Sequence, residues 1–593
     1  MHPNFTLTQS FRPQIEDYTI AEPSPTPRPD DLDLAAMARA ALNYLRGNPD
    51  PARNYECKFA LGPLGIPCHV PISPSNEYGF DVVSLGDTDA RMNTQYAHMR
   101  EMAGEAEADP VERGVFQRVL GYLREDHLCW VNPGACIGET IPGEWALTWT
   151  TGKLLCRLAE MYKLTGDQEL RRRCRNIFLA LRRIALWDGK RAFYWGIAPY
   201  KDGQWLIRNW TTSHGRNYPF IVEPCVRYYE CTGDEEALAL ARAFADGFLD
   251  EVQPEMGSHR IAPETGAFAG HVHCHTHAVW GVAHLGALLG EERYLAWARR
   301  VHDFVVSVGT DYGWYPEFVP QGEYRSEVCV VGDMVSLGSW LARGGRPEYW
   351  DVVERTIRNE IRRSQFALTP AFVALFEQVH KDKPGDVVRR ALQDLRRIEG
   401  GFVAQSTFDD WVSYPDNPKL GTPGLSSNGI HMMGCCPPEG MRALYEAWTD
   451  IVEKRPEGIF VNLCFTREHE HARVTAFHPG DGQLRVEAKT AGTYFLRPPS
   501  WSERADWTLT RNGSPVPTLW GGPRQAYVVC RDVEPGEQLV VRWRVPEFTQ
   551  TYLPTSVPGR TEPIEVRWLG SQVTRVEPSA RYLSKFAQAS REA

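Results

Sequence analysis

The sequence predicts a mainly α-helical protein with a β-structured end: an (α/α)6 barrel followed by a C-terminal β-sandwich. Three observations carry this. A helix stop joined to a helix start recurs, Tyr162-Lys163-Leu164-Thr165-Gly166-Asp167 returning as Tyr229-Glu230-Cys231-Thr232-Gly233-Asp234. The segment after Asp234 places Ala237, Leu238, Ala241, Phe244, Ala245 and Phe248 on one helical face. Beyond about residue 455 the pattern changes to strand-like alternation, as in Leu484-Arg485-Val486-Glu487-Ala488 and Leu539-Val540-Val541-Arg542-Trp543.

Taken in order, residues 1–31 are polar and proline-rich, with Pro23, Pro25 and Pro27 spaced for an extended arm lying on the body. Asp31 stands where an N-cap belongs for a helical pattern from Leu32 to Leu45. Glu56 to Met92 is rich in Gly and Pro and is expected to be a long site-lining loop. Helical pairs then follow, punctuated at Gly166-Asp167, at Gly233-Asp234 and more weakly at Gly290-Glu291 and Gly344-Gly345. Glycine suits the left-handed position after a helix, and aspartate suits the cap of the next. Stacked hairpins of this kind predict a toroid over residues 32–455, with a longer solenoid as the competing architecture. Residues 456–593 form the predicted sandwich, with Arg511-Asn512-Gly513-Ser514 as a hairpin turn. That module reads as structural rather than sugar-binding.

Composition narrows the function. A net charge of −10 argues against a general binder of nucleic acid or of anionic membranes. No run of about 18 apolar residues predicts a membrane span. The start, Met1-His2-Pro3-Asn4, lacks a basic and apolar leader, so a cytoplasmic protein is expected. The 14 cysteines follow no disulfide-scaffold spacing, which points to reduced thiols or metal ligands.

The chemistry concentrates at Gly434-Cys435-Cys436-Pro437-Pro438-Glu439, taken with Glu327-Val328-Cys329. Adjacent cysteines do not easily bond to each other, yet both can face one ion. With Glu327 and Cys329 they make a set of three sulfurs and one oxygen, which suits Zn2+. The prolines open a helix at Pro438, and a cysteine just before a helix start feels its positive end. On residues alone the zinc is structural or catalytic, or the cysteines are simply buried side chains.

Glu-x-Cys followed far downstream by Cys-Cys-Pro-Pro resembles the beta-L-arabinofuranosidase family, the retaining cysteine glycosidases. The resemblance implies Cys435 as nucleophile, with Glu327, Cys329, Cys435 and Cys436 holding zinc. It implies Glu317 as acid/base, in a Glu317-Phe318 segment where Pro316 replaces the usual glycine; Glu323 is the fallback. It implies His277 as a sugar contact. Lys153 and Tyr218 stand where the family has histidines, and Glu439 replaces an asparagine while Arg442 is kept. His214, Trp195 and His431 complete the expected sugar contacts. A lysine at 153 suits either a carboxylated sugar or a solvated helix face. His271, His273, His275 and His277 alternate just before an apolar run. They are expected to be hydrogen-bonded at the barrel mouth rather than to bind a second metal. The expected partner is a small oligosaccharide or glycoside, and a homodimer is compatible with the sequence. The implied activity is hydrolysis of a beta-L-arabinofuranoside-like sugar. The alternatives are a different, carboxylated sugar on the same scaffold, or a non-catalytic glycan-binding protein with structural zinc.

Overall fold

A computed structural model describes residues 14–22, 24–58, 60–62, 87–131, 135–136, 139–140, 144–195, 198–199, 205–206, 220–250, 261–319, 326–406, 432–552 and 563–578. Helices of eight residues or more are α1 (Leu34–Gly47), α2 (Asp87–Ala103), α3 (Pro110–Leu120), α4 (Thr148–Thr165), α5 (Gln168–Arg183), α6 (Val222–Thr232) and α7 (Glu235–Leu249). They continue as α8 (Val272–Leu289), α9 (Glu292–Ser307), α10 (Val328–Arg343), α11 (Tyr349–Thr356), α12 (Pro370–Val379), α13 (Gly385–Arg397) and α14 (Cys436–Asp450).

The helix junctions are where local chemistry puts them. α4 ends at Gly166 and α6 at Gly233, both left-handed at φ 70° and 71°. Asp167 and Asp234 then cap α5 and α7, accepting the backbone N–H of Glu169 and of Glu236. Gly290 ends α8 in the same way, but Glu291 makes no side-chain cap. Three expectations are corrected. α1 is capped by Asp33, whose carboxylate accepts from Ala35 and Ala36, while Asp31 pairs with Arg362 at 2.6 Å. α2 begins at Asp87, inside the segment expected to be loop. α8 begins at Val272, so His273, His275 and His277 are helical rather than preceding the helix.

Packing arranges the helices in two layers. α2, α4, α6, α8, α10 and α14 each touch the next, and α14 returns to α2. α1 packs outside α2, α5 outside α4, α7 outside α6, α9 outside α8 and α11 outside α10. The inner helices are buried nearly all round: every residue of α10 from Val328 to Ser339 is buried. The outer ones are amphipathic. α5 buries Cys174, Ile177, Phe178 and Leu181 and turns its arginines outward.

The C-terminal part is β-rich. A five-stranded and a six-stranded sheet hold the strands between Val452 and Arg542, and a four-stranded sheet holds Pro546–Tyr552, Ile564–Leu569, Gln572–Glu577 and the N-terminal strand Gln14–Ile20. The predicted turn is present: Arg511 pairs with Ser514, and Asn512 and Gly513 take φ 50° and 80°. The arm before α1 runs along this region, with Asp30 N–H donating to Ala476 O at 3.1 Å.

One short element joins the two parts. α11 runs into a π-helical turn, Ile357–Ile361. Arg497 is fully buried and donates to Asp351 of α11 at 2.6 Å and to the Asn462 carbonyl at 2.5 Å. Asn359 in the π turn accepts from Val573 N–H and donates to Ser571 O, both at 2.9 Å. Trp314 is fully buried with Tyr312 against Tyr552, Ile564 and Trp568. Removing a buried charge that is paired in this way is expected to be costly. Arg497→Ala should lose about 3–5 kcal/mol in urea unfolding, against about 1 kcal/mol for Gly233→Ala at a left-handed cap. A loss under about 1 kcal/mol for Arg497→Ala would show that the junction does not rest on this ion pair.

Candidate active site

Two helix starts meet. Cys435 is the N-cap of α14, and Pro437 and Pro438 lie in its first turn. Proline costs nothing there because its missing N–H would have had no partner. Glu327 is the N-cap of α10 and Cys329 lies in its first turn. Gly332 lets the two helices close up, since a Cβ on it would sit 2.7 Å from the Glu439 carbonyl oxygen.

The ligand atoms of Glu327, Cys329, Cys435 and Cys436 consequently all lie within 4.8 Å of one another. Cys329 Sγ is 3.4 Å from Cys436 Sγ, and Cys435 Sγ is 3.8 Å from Cys436 Sγ. Tetrahedral zinc with Zn–S bonds of about 2.3 Å separates its sulfurs by about 3.8 Å. Donor type and spacing therefore fit zinc. Cys435 is the half-buried member and the other three are buried. Hydrogen bonds from Cys329 and Cys436, then the Arg91 and His273 charges, hold the Cys435 thiol well below its usual value. Burial pushes Cys329 and Cys436 well above theirs. The helix N-terminus also favours a thiolate at Cys435.

Glu317 reaches the same place by backbone pairing. Gly270–His271 pairs with Phe318–Val319, and the Glu317 carbonyl accepts the Val272 N–H at 2.8 Å. The buried Glu317 carboxylate then lies within 4.8 Å of both His271 and Glu327. His271 Nε2 is 2.8 Å from Glu327 Oε1. Burial works against a charged His271, but Glu327 and Cys274 outweigh it and raise its pKa well above 6.5. Glu327 therefore belongs to both groups and links Glu317 to the sulfurs.

The histidines are hydrogen-bonded, as the sequence favours. His273 Nδ1 donates to Asp333 Oδ2 at 2.7 Å and His277 Nδ1 to Asp333 Oδ1 at 3.1 Å. His275 Nδ1 donates to the His271 carbonyl at 2.8 Å and its ring stacks on Phe268. His273, His277 and Asp333 also form a compact group of metal-ligand type. Burial would raise the Asp333 pKa, but the two imidazoles outweigh it and hold it far below 3.8.

Sequence reasoning missed Arg91 and Asp333 and left the partners of Arg442 open. Arg91 donates to Glu439 at 2.8 Å and lies 4.1 Å over the Trp149 ring. Arg442 donates to Glu439 at 2.6 Å and to Asp333 at 2.9 Å. Asp333 carried the one available signal, a lone carboxylate within the apolar run Val328–Leu337; Arg91 carried none. Lys153 is buried, with Nζ 3.5 Å from Glu223, so it is not a solvated residue. Trp195 is half-buried, and among the described residues no hydrogen bond or ring contact joins it to these groups. His214, Tyr218, His431 and Glu323 lie outside the described residues.

Residues 144–315 match the model of the beta-L-arabinofuranosidase, GH127 catalytic domain, which bears out the resemblance carried by the cysteine motifs. The structure is similar to that of a GH127 beta-L-arabinofuranosidase from Geobacillus stearothermophilus T6, at TM-score 0.58 and 15% identity, over 92% of this chain and 86% of that one. It is likewise similar to the GH127 beta-arabinofuranosidase BT3674, at TM-score 0.60 and 15% identity, over 95% and 85%. At these identities the structural likeness speaks for the fold. No curated protein matches. No helix among the described residues is long and apolar enough to cross a membrane.

One titration follows from this geometry. Burial, reinforced by Lys153, lowers the His277 pKa to about 4 despite Asp333, whereas Asp333 raises that of His273 above 6.5 against the same burial. Histidine NMR should therefore find two imidazoles on one carboxylate titrating on opposite sides of pH 6.5. The unfolded chain takes up the His277 proton first, so His277 destabilises the fold as pH falls from about 6.5 toward 4. His277→Gln should flatten that part of the stability profile, and an unchanged profile would refute the assignment.

Proposed function

We propose that this chain is a divergent member of the beta-L-arabinofuranosidase family and a retaining glycoside hydrolase acting on a beta-L-arabinofuranoside-like sugar. The observation that carries the reading is the convergence of Glu327, Cys329, Cys435 and Cys436, with the Glu317 carboxyl beside Glu327. An (α/α)6 barrel over residues 32–455 carries the chemistry. The arm, residues 1–31, and a β-sandwich, residues 456–593, brace it. The protein works on small glycosides in the cytoplasm.

Zinc held by Glu327, Cys329, Cys435 and Cys436 supplies, when bound, the positive charge that keeps the sulfurs deprotonated. Cys435 Sγ attacks the anomeric carbon, and the bond from that carbon to the leaving oxygen breaks. Glu317 gives its proton to that oxygen as negative charge develops on it. A thioglycosyl intermediate on Cys435 results. Glu317, now a carboxylate, takes a proton from water while the water oxygen attacks the same carbon and the C–S bond breaks. Two inversions leave the configuration retained, and Cys435 returns as thiolate. Asp333 and the residues around it do not touch the reacting atoms in this scheme. They fix His273, whose Nε2 lies 3.5 Å from Arg91 and whose charge acts on Cys435.

A panel of aryl and natural glycosides, with and without a strong chelator, tests this. Release of one sugar with retention, lost on chelation, is expected. Cys435→Ser should fall below about one-thousandth of the parent rate while remaining folded. Glu317→Gln should lose about 10²–10⁴-fold, less for aryl glycosides with good leaving groups. Full activity in Cys435→Ser sinks the mechanism.

A further inference from the structure

We propose that Glu223 sets the charge selectivity of the sugar site, making it a site for an uncharged glycone. The inference rests on the glycosidase reading above and deepens it.

Lys153 follows Trp149 by one turn of α4, so the two side chains share a face. Trp149 lies against Arg91, 5.2 Å from the His277 ring and 4.1 Å from the Phe220 ring, centroid to centroid. Arg91 in turn reaches Glu439, four residues on from Cys435. Lys153 is therefore part of the ring interior leading to the thiolate, and its charge is felt at both His277 and Glu439.

A buried lysine in a sugar site would ordinarily attract a carboxylate. Here that charge is already answered from α6. Glu223 Oε2 lies 3.5 Å from Lys153 Nζ, and Cys156, on the Lys153 helix, lies 3.7 Å from both Glu223 oxygens. Glu223 is buried and stays ionised: burial would neutralise it, but Lys153 and Arg227 outweigh that. The other cations facing this interior are paired as well, Arg91 with Glu439 and Arg442 with Glu439 and Asp333. A carboxylated sugar would meet Glu223 with no free cation to offset it among the described residues.

Two of the buried polar atoms without partners are ones a hydroxyl can use. Trp149 Nε1 and His277 Nε2 are both buried and have no hydrogen-bond partner among the described residues. Trp149 offers a donor. His277 gives its Nδ1 proton to Asp333, which leaves Nε2 as an acceptor when the ring is neutral. A donor and an acceptor on rings whose centroids are 5.2 Å apart suit sugar hydroxyls.

The test uses the zinc-loaded protein and two sugars that differ only at C5, methyl beta-L-arabinofuranoside with a hydroxymethyl group and its C5-oxidised analogue with a carboxylate. Binding is read from tryptophan fluorescence, independently of turnover. The parent protein is expected to prefer the uncharged sugar by at least about tenfold. Glu223→Gln, which removes the charge answering Lys153, is expected to improve the carboxylated sugar relative to the uncharged one by at least about tenfold. A parent protein that binds the carboxylated sugar as well as or better than the uncharged one overturns the proposal, as does one that binds neither. A folded Glu223→Gln protein without the gain also overturns it. Should that variant fail to fold, the parent comparison still decides. Loss of hydrolysis with the discrimination intact would fail the hydrolase reading and leave this one standing.

Discussion

The buried ion network along the ring axis is the constraint on which the rest depends. Each inner helix brings a titratable group inward: Arg91 from α2, Lys153 from α4, Glu223 from α6, His273 and His277 from α8, Asp333 from α10, Glu439 and Arg442 from α14. Charges removed from water to this degree are tolerable only when paired and hydrogen-bonded, and loss of one partner leaves the other uncompensated. Asp333 accepts from His273, His277, Thr276 and Arg442. Arg442 also reaches Ser336 and Glu446, and its guanidinium covers the Trp280 ring. The register of the inner helices is thereby tied together by directional bonds rather than by apolar contact alone.

The thiol cluster sits on this platform and takes its geometry from it. Cys435 and Cys436 open α14, and Arg442 and Glu439, two turns and one turn on, anchor that helix to α10 and α2. Glu327 and Cys329 open α10, and Asp333, one turn further, carries the other end of the same network. Cluster and network are thus held by the same two helices, closed onto each other at Gly332. Glu317 arrives differently, through a two-residue β pairing with the start of α8. Its distance to the sulfurs is therefore governed by the position of α8 in the ring.

The β-rich part contributes rigidity from behind. It engages the helices through α11 and the π turn, where Asp351, Glu354, Arg358 and Asn359 all bond to the β region or to the arm. A π turn widens the helix and re-aims side chains, which suits an element that must address several sheets. The strand Gln14–Ile20 completes the four-stranded sheet with Pro546–Tyr552, so the segment before α1 is braced by late strands.

What the sequence determined by itself was whatever depends on neighbours along the chain. Glycines at 166 and 233 must end helices and the following aspartates must cap the next, because both effects act within one turn. The same holds for the strand alternation after residue 455, the Asn512-Gly513 hairpin and the proline-opened helix behind the cysteine pair. The motif spacing also pointed to the four-ligand set, because the vicinal thiols and Glu-x-Cys are compact signals. Tertiary structure alone decided the partners of isolated charges. Arg91 finds Glu439 and Lys153 finds Glu223 across gaps that no local pattern records. It also decided that Asp33, not Asp31, caps α1, since Asp31 is drawn to Arg362, and that α8 starts early enough to carry the histidines inward. It decided likewise that Trp314 is covered by strands distant in the chain. Local propensity is set by sterics and hydrogen bonds within a few residues, whereas the pairing of buried charges is settled only when distant helices are brought into one low-dielectric interior.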